Sequence, residues 1–343
     1  MSLNQQKGVL LINLGTPDAP TRSAVHRYLS QFLTDGRVID INPIARNILV
    51  RGIIAPFRSG KSAAAYKILW TDEGSPLKVF GYSLKEKIQG TLGENYMVEL
   101  AMRYQKPSIE EALNKLMKAA VSEIIVLPLF PQYASATNGS VHEEVMRLLS
   151  KKQVIPKITF INSYYDHPKL IEAFVDRAKS YKIDEYDHVL FSYHGLPKRH
   201  LVKADQSKAH CMKKENCCSS ICDNNRYCYS AQCYATTYAI ADTLKLEKDK
   251  YSICFQSRLG RDPWLEPYTS DMLKKRYEAG DKKLLVFCPA FVADCLETTV
   301  EISHEYAEEF EKMGGEHLEL VEGLNDSPKW VEAAASIILE NCQ

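Results

Sequence analysis

The ten residues HVLFSYHGLP, at positions 188–197, show the pattern that decides the fold. An apolar run leads directly into a Gly/Pro turn, which predicts a short buried strand over residues 188–192. The same pattern recurs along the chain, and amphipathic segments fill the intervals between its copies. Such alternation is typical of an α/β protein in which helices cover a parallel sheet.

Seven further segments carry the strand pattern, and four segments between them carry a helical one. The predicted strands are residues 9–13, 97–102, 123–127, 158–161, 252–255, 284–287 and 317–321, and the predicted helices are 108–120, 143–149, 169–181 and 231–244. The first four strands and the last four are expected to form separate sheets. The predicted domains are residues 1–163 and 164–325, followed by a C-terminal helix over 326–343.

Composition narrows the class of protein. A length of 343 residues suggests two domains, and 45% hydrophobic with 25% charged residues is ordinary for a globular chain. Lys plus Arg equals Asp plus Glu, 43 each, which argues against a nucleic-acid partner. No apolar run is long enough for a membrane span, and residues 8–12 are too short for a signal peptide. We therefore expect a cytoplasmic protein.

A weak internal sequence repeat predicts where a ligand would bind. Residues 124–149 and 284–310 share the order of apolar strand, proline, aromatic residue, polar turn and helix. This order suggests two related halves. Ligands of open α/β sheets bind at the carboxyl ends of the strands. Polar and charged residues at predicted strand ends are therefore the candidates for chemistry.

One candidate at a strand end is His194, which a rigid strand would hold at its exposed carboxyl end. A histidine there can accept a proton near neutral pH, although a lone histidine is more often structural. A second candidate is an acidic stripe that begins after the strand at 284–287. At about 100° per residue, one helix face would carry Asp294, Glu297, Glu301, Glu305 and Glu308. The plain alternative is a solvated acidic face; stacked carboxylates could instead attract and pass a divalent cation.

Aromatic and polar residues follow two other strands. Gln256 and Ser257 precede Trp264, and Arg103-Tyr104 ends a strand in the first half. Such a set would suit a flat aromatic ligand with acidic groups, because tryptophan gives contact area and arginine pairs with carboxylates. Trp264 could equally plug a domain edge. No G-x-G-x-x-G follows a strand, so the dinucleotide fingerprint is absent.

Residues 41–70 interrupt the alternation. Apolar residues there are interleaved with Arg46, Arg51, Arg58 and Lys61. The segment fits an amphipathic helix over a sheet. It fits equally an apolar lip that guards a pocket or touches a membrane surface. The two interpretations stay open at this point.

Six of the ten cysteines fall within residues 205–233. They are Cys211, Cys217, Cys218, Cys222, Cys228 and Cys233. In a reducing compartment disulfides are unlikely, so metal binding is the favoured interpretation. The spacing matches neither paired zinc motifs nor a ferredoxin, and it does not decide between iron–sulfur and zinc.

These motifs together resemble those of the ferrochelatase family, in the family's order and along nearly the whole chain. The matching stretches are LINLGTP at 11–17, GSPL at 74–77, FPQY at 130–133, SYHGLP at 192–197, QS at 256–257 with Trp264, and residues 294–301. The resemblance implies two Rossmann-like domains, each a four-stranded parallel sheet with flanking helices, and a porphyrin cleft between them. It implies insertion of ferrous iron into protoporphyrin IX to give protoheme, with iron as substrate.

The resemblance also assigns roles to residues. His194 and Glu297 would be the central catalytic pair and contact the substrate iron, and Glu301 and Glu305 would continue the acidic line. The residues that would line the porphyrin pocket are Leu14, Arg103, Tyr104, Ser257 and Trp264. Residues 41–70 match the lip over the active site, which favours the interpretation as an apolar lip that guards a pocket or makes a peripheral membrane contact. Cys295 stands where some members have histidine, which leaves that position without an assigned role.

The family also bears on the cysteines. Animal members carry cluster cysteines in a C-terminal extension, whereas a bacterial subset has internal cysteines ending in a stretch similar to CYSAQC, residues 228–233 here. The resemblance therefore favours a 2Fe-2S cluster held by Cys211, Cys218, Cys228 and Cys233, with Cys217 as the substitute ligand and zinc as the alternative metal. Two other functions are weighed: a chelatase for another metal or tetrapyrrole, and a carrier without turnover.

Overall fold

The computed structural model describes residues 6–258, 260 and 262–342 of the chain. It contains two four-stranded sheets, and every strand pair is parallel. The first sheet has the order β2-β1-β3-β4, with β1 at Lys7–Gly15, β2 at Tyr96–Tyr104, β3 at Glu123–Pro128 and β4 at Lys157–Phe160. The second has the order β6-β5-β7-β8, with β5 at His188–His194, β6 at Tyr251–Gln256, β7 at Lys283–Phe287 and β8 at His317–Leu320. All eight predicted strands and the predicted fold class are confirmed.

Helices connect the strands. They are α1 (Arg22–Leu33), α2 (Pro43–Asn47), α3 (Ala55–Leu69), α4 (Pro76–Leu92), α5 (Ile109–Lys118), α6 (Ser140–Leu149), α7 (Pro168–Ala178), α8 (Lys198–Ala204), α9 (Tyr229–Thr243), α10 (Thr269–Glu278), α11 (Ala307–Met313) and α12 (Pro328–Glu340). Three π-helical segments occupy Ile48–Ile54, Ser135–Gly139 and Leu296–Tyr306. Within the described residues, no helix is both long and apolar enough to cross a membrane.

The chain forms two compact units. Unit 1 comprises residues 1–130, 135–163 and 325–343, and unit 2 comprises 131–134 and 164–324. Helix α12 thus packs within unit 1, where Asp326, just before the helix, accepts hydrogen bonds from Ser83 and Lys87 of α4. Proline at its first turn suits a helix start, because that position needs no N–H donor.

Each unit has an apolar core beneath its sheet. In unit 1, Leu10 and Ile12 of β1 pack with Leu113 and Leu116 of α5. In unit 2, Leu190 and Val286 pack against Leu273 of α10 and Phe310 of α11. Burying each such side chain stabilises the fold by about 1.5–3 kcal/mol. Helix α5 also begins with a capping box between Ser108 and Glu111.

The internal sequence repeat has a structural counterpart. In each unit, the third strand in sequence, β3 or β7, leads into a π-helical segment and then into an α-helix. A glycine lies against the neighbouring strand at the carboxyl end of the first strand of each unit: Gly15 is the last residue of β1, and Gly195 directly follows β5. A Cβ on Gly15 would lie 2.0 Å from the Tyr104 carbonyl oxygen, and Gly15 has φ +117°, so only glycine fits there.

Candidate active site

His194 ends β5 at the carboxyl edge of the second sheet. Its Nδ1 lies 2.7 Å from the Gly195 carbonyl oxygen. A carbonyl can only accept, so Nδ1 carries the hydrogen and the neutral ring leaves the Nε2 lone pair available. Gly195 permits this turn, because a Cβ there would lie 2.8 Å from the Gln256 carbonyl oxygen. The ring centroids of Trp264 and Phe291 lie 6.4 Å and 6.3 Å from that of His194.

Glu301 lies close enough to His194 for the two groups to interact electrostatically. Its carboxylate accepts a hydrogen bond from the Ser257 hydroxyl at 2.5 Å and one from Gln256 Nε2 at 3.3 Å. Burial raises the pKa of Glu301 and the neighbouring Glu297 adds to the rise, whereas Ser257 and His194 oppose it. Among the described residues, no Lys or Arg forms an ion pair with Glu301. In the described part of the site, the carboxylate is therefore stabilised by His194 and by the hydrogen bonds from Ser257 and Gln256.

The acidic residues lie on a π-helix, so the predicted spacing of 100° per residue is wrong for Leu296–Tyr306. Hydrogen bonds to the fifth residue widen each turn, and such segments are frequent at functional sites. Glu297 and Glu301 are half-buried, whereas Glu305 and Glu308 are exposed. The plain interpretation, a solvated acidic face, thus describes the outer part of the stripe. Asp294 precedes it and accepts hydrogen bonds from Thr298 and the Gly323 N–H.

Gln256 supports this arrangement, and sequence analysis gave it no role of its own. Its Nε2 donates to the Glu297 carbonyl oxygen at 2.6 Å as well as to Glu301. Its Oε1 accepts from the Ser192 hydroxyl at 2.7 Å and from the Cys288 thiol. The side chain thereby joins three strand ends to the π-helix. The sequence signals for it were a polar side chain that closes an apolar strand and its place in the QS stretch at 256–257.

Trp264 is buried near His194, and its Nε1–H has no hydrogen-bond partner among the described residues. A buried donor without a partner is costly in a folded protein. The tryptophan is held by a short antiparallel bridge to Pro197. Ser257 and Trp264, two of the predicted porphyrin contacts, therefore lie with His194 in unit 2.

The other three predicted porphyrin contacts lie in unit 1. Leu14 is half-buried near the end of β1, and Tyr104 has no exposed surface. Arg103 forms an ion pair with Asp35, at 2.8 Å between Nη2 and Oδ2. The Tyr104 hydroxyl donates to the same Asp35 oxygen at 2.9 Å. Sequence analysis did not single out Asp35, because it lies 68 residues from Arg103 in the chain.

Residues 41–70 fold as α2, a π-helical segment and α3. Val50, Ala63 and Tyr66 are buried on one side of this segment. The exposed apolar residues on the other side are Ile41, Ile44, Ile48, Ile53, Phe57 and Ile68, and Phe57 is 80% exposed. An amphipathic helix that only covered a sheet would hide such residues. We call these six side chains the lip surface.

The cysteine loop is ordered by its own polar residues. The Asp205 carboxylate accepts the N–H groups of Ser207, His210 and Cys211. The Asn225 amide donates to the carbonyl oxygens of Cys217 and Ser220. A cavity of about 320 Å³ adjoins the loop, and its lining includes Cys211, Cys217 and Cys228.

Several of the thiols contact one another. Cys218 donates a hydrogen bond to the Ser230 hydroxyl at 3.3 Å, and the thiols of Cys211, Cys218 and Cys228 lie near enough to shift one another's pKa values. Hydrogen bonding between Cys228 and Cys211 raises the pKa of Cys228 to about 11 and lowers that of Cys211. Cys233 is fully buried in α9, and burial raises its pKa, while Cys228 and Cys218 also interact with it. Cys217 Sγ lies 3.8 Å from Cys218 Sγ, and Cys222 is exposed.

A single metal ion and a two-iron cluster require different arrangements of the cysteine ligands. In the part of the chain that the structure describes, no three His, Cys, Asp or Glu side chains are arranged to hold a metal ion. A two-iron cluster differs, because it spreads four thiolates over two ions rather than around one point. Cys211, Cys218, Cys228 and Cys233 lie near enough to influence one another's pKa values, which makes these four thiols the candidate ligands of such a cluster. All ten cysteines are free of disulfides.

Comparison with known proteins gives a consistent result. The ferrochelatase family model matches residues 6–342. A ferrochelatase of Coxiella burnetii is 46% identical over 342 residues, covering 99% of this chain and 95% of the relative. One of Legionella pneumophila is 45% identical over 335 residues, covering 98% and 99%. A sirohydrochlorin chelatase of Bacillus subtilis solved with cobalt matches at a TM-score of 0.55 and 11% identity, covering 98% of this chain and 95% of that one. This last likeness concerns the fold alone.

Proposed function

The chain belongs to the ferrochelatase family, and from that premise we propose that it inserts ferrous iron into protoporphyrin IX, as the last step of heme biosynthesis. The enzyme is accordingly a lyase whose substrates are a porphyrin and ferrous iron. The residues proposed to act are His194, Glu297, Glu301 and Glu305.

The arrangement of His194 and Glu301 carries the proposal. The available Nε2 of His194 can accept a proton, and Glu301 beside it has no cationic partner among the described residues. A base and an unneutralised carboxylate at one strand edge are what exchange of a divalent cation for protons requires. Ser257 and Gln256 hold the carboxylate in place, which reduces the cost of orienting it during the reaction.

The chemistry exchanges one Fe²⁺ for two pyrrole N–H protons. A planar macrocycle hides its nitrogens, so tilting one pyrrole out of plane exposes a lone pair and an N–H to the protein. We assign His194 as the acceptor of these protons and Glu297 as the group that positions or relays them. Glu301 and Glu305 form the continuing line, on which iron or protons travel between the exposed Glu305 and the half-buried Glu301.

Porphyrin contacts are assigned to five residues, which are Leu14, Arg103, Tyr104, Ser257 and Trp264. The unpartnered Trp264 Nε1–H and the partly exposed Arg103 guanidinium are donors suited to an acidic, flat ligand. Tyr104 is fully buried, so its contribution passes through Arg103, whose guanidinium carbon lies 4.7 Å from its ring centroid.

A 2Fe-2S cluster is proposed as the resident cofactor, held by Cys211, Cys218, Cys228 and Cys233, with Cys217 as the substitute. Its role is structural, because inserting ferrous iron consumes no electron. Anaerobically purified protein is expected to be brown and to contain two iron and two sulfide ions per chain. A colourless protein that contains zinc would replace this assignment with a zinc site.

The lip surface supports a peripheral membrane contact by a cytoplasmic protein. Six exposed apolar side chains, among them Phe57 and Ile44, are costly to leave in water. We expect the protein to sediment with phospholipid vesicles, and Phe57→Glu combined with Ile44→Glu to abolish this. Equal sedimentation of both proteins would contradict the assignment.

A ferrous-iron insertion assay tests the function most simply. Protoporphyrin IX and coproporphyrin are offered side by side under anaerobic conditions, and porphyrin fluorescence is followed. Loss of fluorescence with protoporphyrin and ferrous iron is the expected result. Faster turnover with cobalt, nickel or another tetrapyrrole would indicate a different chelatase, and tight binding without insertion would indicate a carrier.

A further inference from the structure

Asp35 carries a largely buried carboxylate and lies just beyond the end of α1 in unit 1. We propose that Asp35 is a positioning residue that presents the Arg103 guanidinium to a carboxylate of the substrate. The proposal rests on the proposed function only in its choice of ligand, an acidic porphyrin. It assigns Asp35 no contact with that ligand.

Asp35 gathers four donors around one carboxylate. Its Oδ2 accepts from Arg103 Nη2 at 2.8 Å, from the Tyr104 hydroxyl at 2.9 Å and from the Ser140 hydroxyl at 2.6 Å. Its Oδ1 accepts the Arg37 N–H at 2.8 Å. The side chain is only 8% exposed. Burial acts to raise the pKa of Asp35, but the hydrogen bonds from Ser140 and Arg37 and the charge of Arg103 hold it below its usual value.

The same contacts fix one side of the Arg103 guanidinium. Nε donates to the Ser140 hydroxyl at 2.7 Å and to the Ser140 carbonyl at 3.1 Å, while Nη2 is paired with Asp35. The Tyr104 ring lies against the guanidinium carbon. Nη1 has no hydrogen-bond partner among the described residues, and the side chain is 16% exposed. One nitrogen of a fixed cation therefore remains available.

A cation fixed in this way is suited to binding an acidic ligand. Arginine's planar fork pairs with carboxylates, and a side chain that is already ordered loses little entropy on binding. Pairing with Asp35 and Ser140 uses Nη2 and Nε, whereas a guanidinium carries five N–H donors, so the ion pair does not exhaust Arg103. The available Nη1 at the carboxyl end of β2 matches a ligand that carries carboxylates.

Asp35→Asn tests the proposal. We compare the dissociation constant and KM for a porphyrin with two free carboxylates and for the same porphyrin with both esterified, in the same detergent. The variant is expected to weaken binding of the diacid about tenfold, as loss of orientation of one charge-assisted hydrogen bond would, and to leave kcat within about twofold. Binding of the diester is expected to be unchanged. In an Arg103→Ala background, Asp35→Asn is expected to add less than about twofold.

The matched control is Asp281→Asn. Asp281 pairs with Arg276 at 2.5 Å and its side chain is 14% exposed, so this change also removes one charge from a largely buried pair. It is expected to lower stability without changing diacid binding. Should Asp35→Asn fail to fold, Ser140→Ala removes one donor from Asp35 and one acceptor from Arg103 Nε without removing a charge. A smaller loss of diacid binding is then expected, and none in the Arg103→Ala background.

Several outcomes would overturn the proposal. One is that Asp35→Asn weakens binding of the diacid and of the diester equally. Another is that Asp35→Asn weakens diacid binding as much in the Arg103→Ala background as in wild type. The third is that both Asp35→Asn and Ser140→Ala bind the diacid as tightly as wild type does. Binding is measured by porphyrin fluorescence and needs no turnover. A wild-type protein that bound the diacid but inserted no iron would therefore refute the proposed function while still testing Asp35.

Discussion

In each unit the second strand along the chain, β2 or β6, ends in a polar network. The two networks differ in whether their carboxylate is paired with an arginine. At the end of β2, Arg103 is neutralised by the buried Asp35. At the end of β6, Gln256 and Ser257 donate to Glu301, which has no Lys or Arg partner among the described residues. A closed ion pair fixes a side chain, whereas a carboxylate without one attracts protons or metal ions. The proposed roles of the two strand ends differ accordingly: the end of β2 contacts an acidic ligand, and the end of β6 holds a carboxylate that exchanges protons or metal ions.

The first strand of each unit along the chain, β1 or β5, also differs between the units in the residue near its carboxyl end. Leu10 pairs with Val126 and Glu99, and Leu190 pairs with Val286 and Ser252, so the two leucines occupy equivalent places. Four residues further on, β1 reaches Leu14 and β5 reaches His194. An apolar side chain in one unit therefore corresponds to the proposed base in the other.

Glu301→Gln gives the largest effect among the variants that test this comparison. The amide keeps its size but loses the charge, so the rate of iron insertion is expected to fall about 100-fold. Glu308→Gln is the matched control on the exposed, outer part of the same acidic stripe. We expect it to change the rate by less than about threefold. Equal losses in a steady-state assay would show that the half-buried position has no special role.

Ser257→Ala is expected to shift the pH dependence of insertion. The hydroxyl stabilises the ionised form of Glu301, whose pKa burial has already raised. Without the hydroxyl that pKa rises further, so the carboxylate is protonated at a higher pH and the acidic limb of kcat/KM moves upward. Ser140→Ala, the variant that removes a donor from Asp35 in unit 1, should leave the limb in place. An unshifted limb for Ser257→Ala would count against Glu301 as the titrating group.

His188→Gln is expected to change stability rather than activity. Burial lowers the pKa of His188 to about 4 from the model-compound value of 6.5. Between pH 6.5 and 4 the histidine therefore binds a proton in the unfolded chain but not in the folded one. The free energy of unfolding falls as the pH is lowered through this range. The loss from this site between pH 7 and 5 is about 2 kcal/mol. Denaturant midpoints of the variant should fall less over this range than those of wild type; an identical fall would refute the assignment.

Much of the fold follows from the sequence. Eight apolar runs of strand length predicted both sheets, because buried parallel strands need continuous apolar side chains. The strand ends also placed His194 and Ser257, since ligands gather at carboxyl edges. The π-helix at Leu296–Tyr306 was not predicted, because its residues show the same spacing of apolar and charged positions as an α-helix. The lip surface was left open, since amphipathicity alone does not say which face is covered.

The supporting residues were harder to find. Asp35 and Gln256 act through partners 68 and 45 residues away, and no local pattern connects such positions. Their importance depends on strand order, which the sequence does not reveal by itself. The family resemblance supplied the roles of Glu297 and the porphyrin contacts, and these remain predictions.

The central claim is that His194 accepts the pyrrole protons while other residues bind the porphyrin. Anaerobic iron insertion by His194→Ala, measured in the same samples as porphyrin binding, tests it most directly. We expect insertion to fall below detection and the porphyrin dissociation constant to stay within about threefold of wild type. Normal insertion by this variant, or loss of porphyrin binding in a folded protein, would contradict the claim.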